Sequence, residues 1–401
     1  MAKKNLKITE NFFANNIFTF NSYKCVCNFA TFKADPTSDV VKLIQVKADK
    51  TTPIRFAFES KVGLVRLNED GSIAESNILG KLLAIKKNDI KKFFSFFERN
   101  GFIFPITTND IESIDEKVLL EIIKRLQATL ELMSTITDMS RTSYEKIVRL
   151  IIYHLFAPIV ELETKNGIFT YITKKHSYTS FLEKYEEFTT DSRLNDTFNN
   201  TEFSFADTIY KKNTLPSDFV TDALNGTSKN EKYNIGLFKK IFKLYCVKRN
   251  QIPQNHLIIN DFLFNYYYKV GVIDHVDLDS MTYVNNEFDK NNFTTELKNA
   301  AIAIAKLIIK EEIESNLKRL HVSYDVSKLE PSWKIDSLLS ALYFGLFYMR
   351  PNMETYRRCA NPKCNEFFLV SVTSRKRKYC CKDCMNRDIQ ARHRAKVKNN
   401  E

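Results

Sequence analysis

Cys359-Ala-Asn-Pro-Lys-Cys364 and Cys380-Cys381-Lys-Asp-Cys384 are the two stretches around which this chain is read. They hold two close pairs of thiols about fifteen residues apart. A structural zinc site takes four tetrahedral ligands, and thiolates are among its best. A short Cys-x(n)-Cys loop brings two of them together at little cost in chain entropy. Cys359, Cys364, Cys380 and Cys384 are therefore the expected ligands of one structural Zn2+. Cys381 is the alternative to Cys380, and Cys380 is preferred because both ligands of the second pair then lie on the first turn of a helix. Asn361-Pro362 favours a tight turn inside the first pair. Phe367 to Val370 and Arg375 to Tyr379 are expected to form a β-hairpin between the pairs, and residues 382–398 a helix. Knuckle, hairpin, then helix is the treble-clef plan. Met385 and Ile389, one turn apart, are expected to pack on Phe367 or Leu369.

The surroundings of these cysteines are cationic. Residues 354–401 carry 13 Lys and Arg against 5 Asp and Glu, whereas the other 353 residues carry 47 against 43. The net charge of +12 is thus largely local, and a basic surface on a nearly neutral body suggests a polyanionic partner. Arg357, Arg358, Arg375, Lys376, Arg377, Lys378, Arg387, Arg392, His393, Arg394 and Lys396 are the candidate nucleic-acid contacts. His393 is also a possible fifth ligand, a role disfavoured because four thiols already fill a tetrahedron.

At these residues the tail resembles the CGNR-type zinc finger, found in bacterial proteins considered to be stress-induced transcription regulators. The resemblance rests on Cys359, Asn361, Pro362, Cys364, Phe368, Cys380, Cys384, Asn386, Arg387, Arg392, His393 and Arg394. Met385 stands where the family has its eponymous Gly, and the second Cys pair is one residue shorter than usual. The likeness covers about 40 residues and implies a C-terminal DNA-binding finger behind a mainly helical domain.

Farther out, composition is that of a globular protein, with 44% hydrophobic and 27% charged residues. At 401 residues two or three domains are expected, at roughly 150 residues each. Glycine is scarce, 9 of 401, against an average of roughly 7%. Neither GxGxxG nor GxxxxGK[ST] occurs, which excludes the common phosphate-cradling loops. Five of the eight cysteines fall in the last 43 residues, a pattern that fits a metal in a reducing compartment better than a disulfide scaffold. No signal peptide is evident at the N-terminus. The apolar run at 300–309 is too short to span a bilayer, so a cytoplasmic protein without membrane contact is expected.

Period-two alternation marks strands at Ile17–Phe20, 24–29 and 54–58, with turns at Asp35-Pro36 and Asp70-Gly71. Cys25 and Cys27 share a strand face and are read as core. Helical periodicity follows at 88–100, 110–137, from a capping box at 142–145 to Pro158, and at 236–247, 260–269, 294–320 and 332–349. The last of these carries Trp333 and is apolar all round, as a buried helix is. Residues 160–235, rich in Thr, Asn, Asp and Ser with breakers at Pro216 and Gly226, read as a boundary or insertion, and 279–292 as a loop. The expected architecture is mainly α with a β-containing N-terminal segment and a C-terminal treble-clef-like zinc finger. Its parts are 1–105, a mainly helical body at 106–350, and the finger at 354–401. The finger is expected to dock on the helix at 332–349, and apolar helices of the body offer a homodimer interface.

Two enzymatic readings stand beside this. Arg149-Leu-Ile-Ile-Tyr-His154 is an Arg-x4-His of the kind small helical ribonucleases use on RNA, which would make the chain a toxin or defence-type ribonuclease. Asp289 with Glu296-x-Lys298 is a weaker nuclease pattern.

Overall fold

In the computed structural model, residues 17–20, 25–33, 40–48, 54–59, 62–86, 89–106, 111–137, 143–164, 169–186, 202–203, 213–214, 241, 244–245, 252–271, 276–277, 282–283, 288–326, 329–349, 354–371, 374 and 376–398 are described. Asp35-Pro36, Asn88, Thr142, Pro216, Gly226, Cys246, Arg375 and most of 236–247 lie outside them, as does the link at 351–353.

Contacts divide the chain into two compact units that are not continuous in sequence. Unit 1 combines Met1–Thr137, Val160–Thr173 and Glu312–Glu401, and unit 2 combines Asp138–Ile159 with Lys174–Glu311. The N-terminal strands and the cysteine region, at opposite ends of the sequence, thus belong to the same unit. The strand-rich start and the helical body are not cut from one another near residue 105.

Unit 1 is built on two sheets. The larger has six strands in the order β14-β15-β1-β4-β5-β6, where β1 is Ile17–Phe20, β4 Ile54–Glu59, β5 Gly63–Leu67, β6 Ile73–Glu75, β14 His321–Asp325 and β15 Glu330–Ile335. Only β1 and β15 run parallel, with Phe18 opposite Trp333. The smaller sheet is β2-β3-β7, formed by Cys25–Phe32, Val41–Ala48 and Ile111–Asp115. Cys25 and Cys27 are both buried on it, and the Cys25 thiol donates to the Phe97 carbonyl at 3.3 Å. That agrees with a core reading of the pair.

The helices of unit 1 are α1 (Ile78–Leu83), α2 (Ile90–Asn100), α3 (Glu116–Thr137) and α8 (Leu338–Tyr348), with α9 (Lys382–Lys398) in the cysteine region. Asp89 caps α2 by accepting from the Lys92 amide, and Gly101 at φ 82° ends it, because that backbone conformation is free of penalty only without a Cβ. α8 buries every residue from Leu338 to Leu346. Two expected helices start later than read. Residues 111–115 and 332–335 are strands, because the chain at those points satisfies its backbone groups in ladders with β3 and with β1 and β14. Strand content is therefore not confined to the N-terminal segment. Arg125 on α3 and Glu312, each about 5% exposed, form a buried ion pair in this unit, with Nε to Oε1 at 2.9 Å.

Unit 2 contains α4 (Tyr144–Phe156), α5 (Ser177–Glu186), α6 (Gln254–Lys269) and α7 (Thr295–Asn316) as far as Glu311. Ser143 caps α4 by accepting from the Lys146 amide. Small two-stranded ladders, β8 with β9 (Glu161–Glu163, Thr170–Ile172) in unit 1, and β10 with β11 (Glu202–Phe203, Asn213–Thr214) and β12 with β13 (Val276–Asp277, Thr282–Tyr283) in unit 2, complete the described elements that precede β14. The buried stripe of α7 is Leu297, Ala300, Ala301, Ile304, Ala305 and Ile308. Among the described residues no helix is long and apolar enough to cross a membrane.

Candidate metal centre

The cysteine region begins with strand β16 (Glu354–Arg358), which pairs antiparallel with β17 (Phe367–Ser371), placing Tyr356 opposite Leu369 and Arg358 opposite Phe367. The connection between these strands carries Cys359 and Cys364. Cys359 N–H donates to Glu366 O at 2.8 Å and Cys364 N–H to Asn361 O at 2.9 Å. The Asn361 side chain accepts from Lys363 N–H at 3.0 Å and reaches across to donate to Cys384 O at 3.3 Å. Asn361 is 5% exposed, so it ties the knuckle to the helix from inside. The hairpin therefore flanks the knuckle. The expected pairing of Phe367–Val370 with 375–379 does not form: β17 takes its ladder from the strand before Cys359, so the order differs from knuckle, hairpin, helix.

Cys380 sits just ahead of α9 and Cys384 in its first turn. The four thiols of Cys359, Cys364, Cys380 and Cys384 all lie within 4.8 Å of one another. Cys380 Sγ is 3.6 Å from Cys364 Sγ and 3.5 Å from Cys384 Sγ. A tetrahedron with metal–sulfur bonds of about 2.3 Å has edges of about 3.8 Å, so the thiols are already spaced for one metal ion. Burial pushes the Cys380 thiol well up and the Cys384 thiol up to about 12. Thiols so placed carry charge only beside a cation, which is what a bound metal supplies. Cys381 is exposed and outside the cluster, and an N–H···S contact from the Cys384 amide holds its thiol below the usual value. Cys380 is thus the member of the cluster. His393 is exposed and is no part of it.

Phe368 and Val370 pack with Cys359 and Cys384, so the helix start rests on that face of β17. Phe367 and Leu369 point the other way. This is why Met385 and Ile389 do not cover them and remain 38% and 50% exposed. Tyr379 is locked in a polar triad: its hydroxyl donates to Asp388 at 2.6 Å and accepts from Arg392 at 2.8 Å. The Arg377 guanidinium lies over the Phe368 ring and donates to the carbonyls of Tyr379 and Cys380.

The candidate cations sort accordingly. Arg357 is buried, with Nη1 at 3.5 Å from Arg377 O. Arg358 pairs with Glu131 at 3.2 Å and covers the Phe367 ring. Arg377 and Arg392 are exposed but engaged. Lys376, Lys378, Arg387, His393 and Arg394 are exposed. Arg375 and the side chain of Lys396 lie outside the described residues.

The hairpin is anchored in unit 1 on α1 and α3 rather than on 332–349. Asn77, at φ 56°, donates from Nδ2 to Phe367 O and to Glu366 Oε1, both at 2.7 Å. Gly80 lets that carbonyl approach, since a Cβ there would fall 1.8 Å from Phe367 O. Thr137 and Thr355 hydroxyls meet at 3.3 Å. Sequence reasoning missed Asn77 and Gly80, although Asn at a helix entry and Gly within a short helix are its only local signs.

The residues of both enzymatic patterns lie in unit 2. Arg149 pairs with Glu145 one turn back, while His154 is 2% exposed beside Tyr153. Asp289 closes a turn onto Asn291 and Asn292, and Lys298 lies over the Tyr144 ring. The function of the cysteine centre is left to its own chemistry, for comparison of the chain with family models, curated proteins and solved structures gives no match.

Proposed function

We propose that the chain is a zinc-dependent nucleic-acid-binding protein, a DNA-binding transcription regulator whose remaining body senses or dimerises. The observation that carries this reading is the gathering of four thiols at one point directly beneath an exposed cationic surface. A closed tetrahedral S4 set suits Zn2+, which has no redox chemistry and no open ligand position in such a site. The ion acts structurally: it joins knuckle to helix and so holds Lys376, Lys378, Arg387 and Arg394 on one rigid element. Those side chains engage phosphates, and the affinity falls with salt in proportion to the number engaged. The resemblance to CGNR-type fingers supports DNA as the partner.

The test uses the full chain. Metal analysis of purified protein should find one zinc per chain. Random-sequence duplex DNA should bind with a salt slope of about −0.9 per phosphate contacted, and RNA more weakly. A Lys376→Glu, Lys378→Glu, Arg387→Glu, Arg394→Glu variant should keep its zinc and bind at least roughly tenfold more weakly by the same charge accounting. Unchanged affinity in that variant removes the finger from the proposal.

A further inference from the structure

A concave site on this cationic surface has a composition that phosphate binding alone does not explain. A pocket of about 400 Å3 opens between the residues ahead of α9 and the first turn of the helix. Lys376, Arg377, Lys378 and Lys382 supply cations, Tyr379 and Met385 an aromatic ring and a thioether, and Cys381 an exposed thiol. A surface that only tracks a phosphate backbone needs charge and no apolar floor. The Tyr379 ring is fixed from behind, its hydroxyl held between Asp388 and Arg392. Met385 is 38% exposed, an apolar side chain left in water beside four cations. Arg377 is committed to carbonyls within the finger and forms a wall, while the three lysines rim the opening. The volume lies within the range of roughly 300–1,000 Å3 that small organic ligands occupy.

An unpaired nucleobase with its flanking phosphates matches this pattern. Single-strand binding sites combine aromatic faces for bases with cations for the backbone, whereas a paired base in a duplex has both faces covered by its neighbours. We infer that the pocket receives one unpaired base of a nucleic-acid strand against Tyr379 and Met385, with the adjoining phosphates on Lys376, Lys378 and Lys382. This rests on the proposed nucleic-acid function and adds to duplex binding a preference for strands that present an unstacked nucleotide.

The test compares three labelled probes with the zinc-loaded full chain by fluorescence anisotropy: an oligo-dT strand, a strand of abasic sugars with the same number of phosphates, and a duplex of equal charge. The abasic strand should bind roughly five- to a hundred-fold more weakly than oligo-dT, the range that losing a base stack produces. Tyr379→Phe keeps the ring and should preserve that difference. Met385→Ala and Tyr379→Leu should shrink it. Should Tyr379→Leu lose zinc, the exposed Met385→Ala variant decides. Equal binding of oligo-dT and the abasic strand overturns the inference and leaves the proposed function standing. No binding of any probe overturns both.

Discussion

Cys380 and Cys381 carry the same side chain one residue apart, yet one is half-buried 3.6 Å from Cys364 Sγ and the other is exposed at the helix entrance. Cys380→Ser should therefore abolish stoichiometric zinc, whereas Cys381→Ser, which keeps a good N-cap side chain, should retain it; metal analysis after gel filtration distinguishes the two. The four ligands were legible because Cys pairs at short spacing restrict each other locally. Arg357, a candidate contact, is buried. A basic dipeptide looks solvent-facing in sequence, and only the β16–β17 register turns Arg357 inward and Arg358 outward. The Arg125–Glu312 pair spans 187 residues and left no trace in the sequence pattern. Glu312→Ala removes the carboxylate from a buried guanidinium, which should cost about 3–5 kcal/mol, read as a lowered denaturant midpoint with an unchanged slope.

Elements were easier to recognise than their partners. The apolar run from Phe367 to Val370 marks a strand correctly, but such a run does not say which neighbour completes the ladder, and the neighbour proved to be β16. β7 and β15 hid at the heads of helical stretches because five or six alternating residues are too few to oppose a long period-3.6 signal. The docking of β17 on α1 is steric: Gly80→Ala would gain about 1 kcal/mol of helix propensity but force a Cβ into Phe367 O. A net loss of stability is expected, with faster proteolysis of the finger as its measure. In unit 2 the N-terminus of α5 is held by Glu311, which accepts from Ser177 N–H at 3.1 Å and from the Ser177 hydroxyl, with His176 at 3.6 Å and Lys174 at 3.5 Å. Burial raises the Glu311 carboxyl, but the Ser177 hydroxyl, His176, the Ser177 amide and Lys174 together outweigh it and hold the group below 4.5. Burial also holds His256 below 6.5. Both groups bind protons more readily when unfolded, so their contributions are present above the unfolded values and fade as pH falls through the folded ones. Unit 2 should lose urea resistance progressively from about pH 6.5 downward, and Glu311→Gln should flatten the part of that profile below 4.5.

For the whole molecule, charge and metal separate the finger from its support. Under the proposed function, a strong chelator should abolish nucleic-acid affinity and strip hydrogen-exchange protection from α9, because that helix is joined to the knuckle through the thiols and Asn361. Most of the helical circular dichroism should survive, since α3, α4, α7 and α8 bury their own apolar faces. Protection in β16 and β17 should outlast that in α9, given the bonds from Asn77. A helix and hairpin that lose protection together would show that the metal alone organises the region.

The parallel pairing of β1 with β15 also sets an order of events during synthesis. Phe18 must await Trp333, so the larger sheet remains open until most of the chain has left the ribosome. All of unit 2 is encoded between those two strands and is free to fold first. Until β15 arrives, one side of β1 presents unpaired backbone amides and carbonyls, which is a template for pairing with another nascent chain. Products truncated between residues 312 and 329 should accordingly aggregate or be degraded, even though they lack none of unit 2.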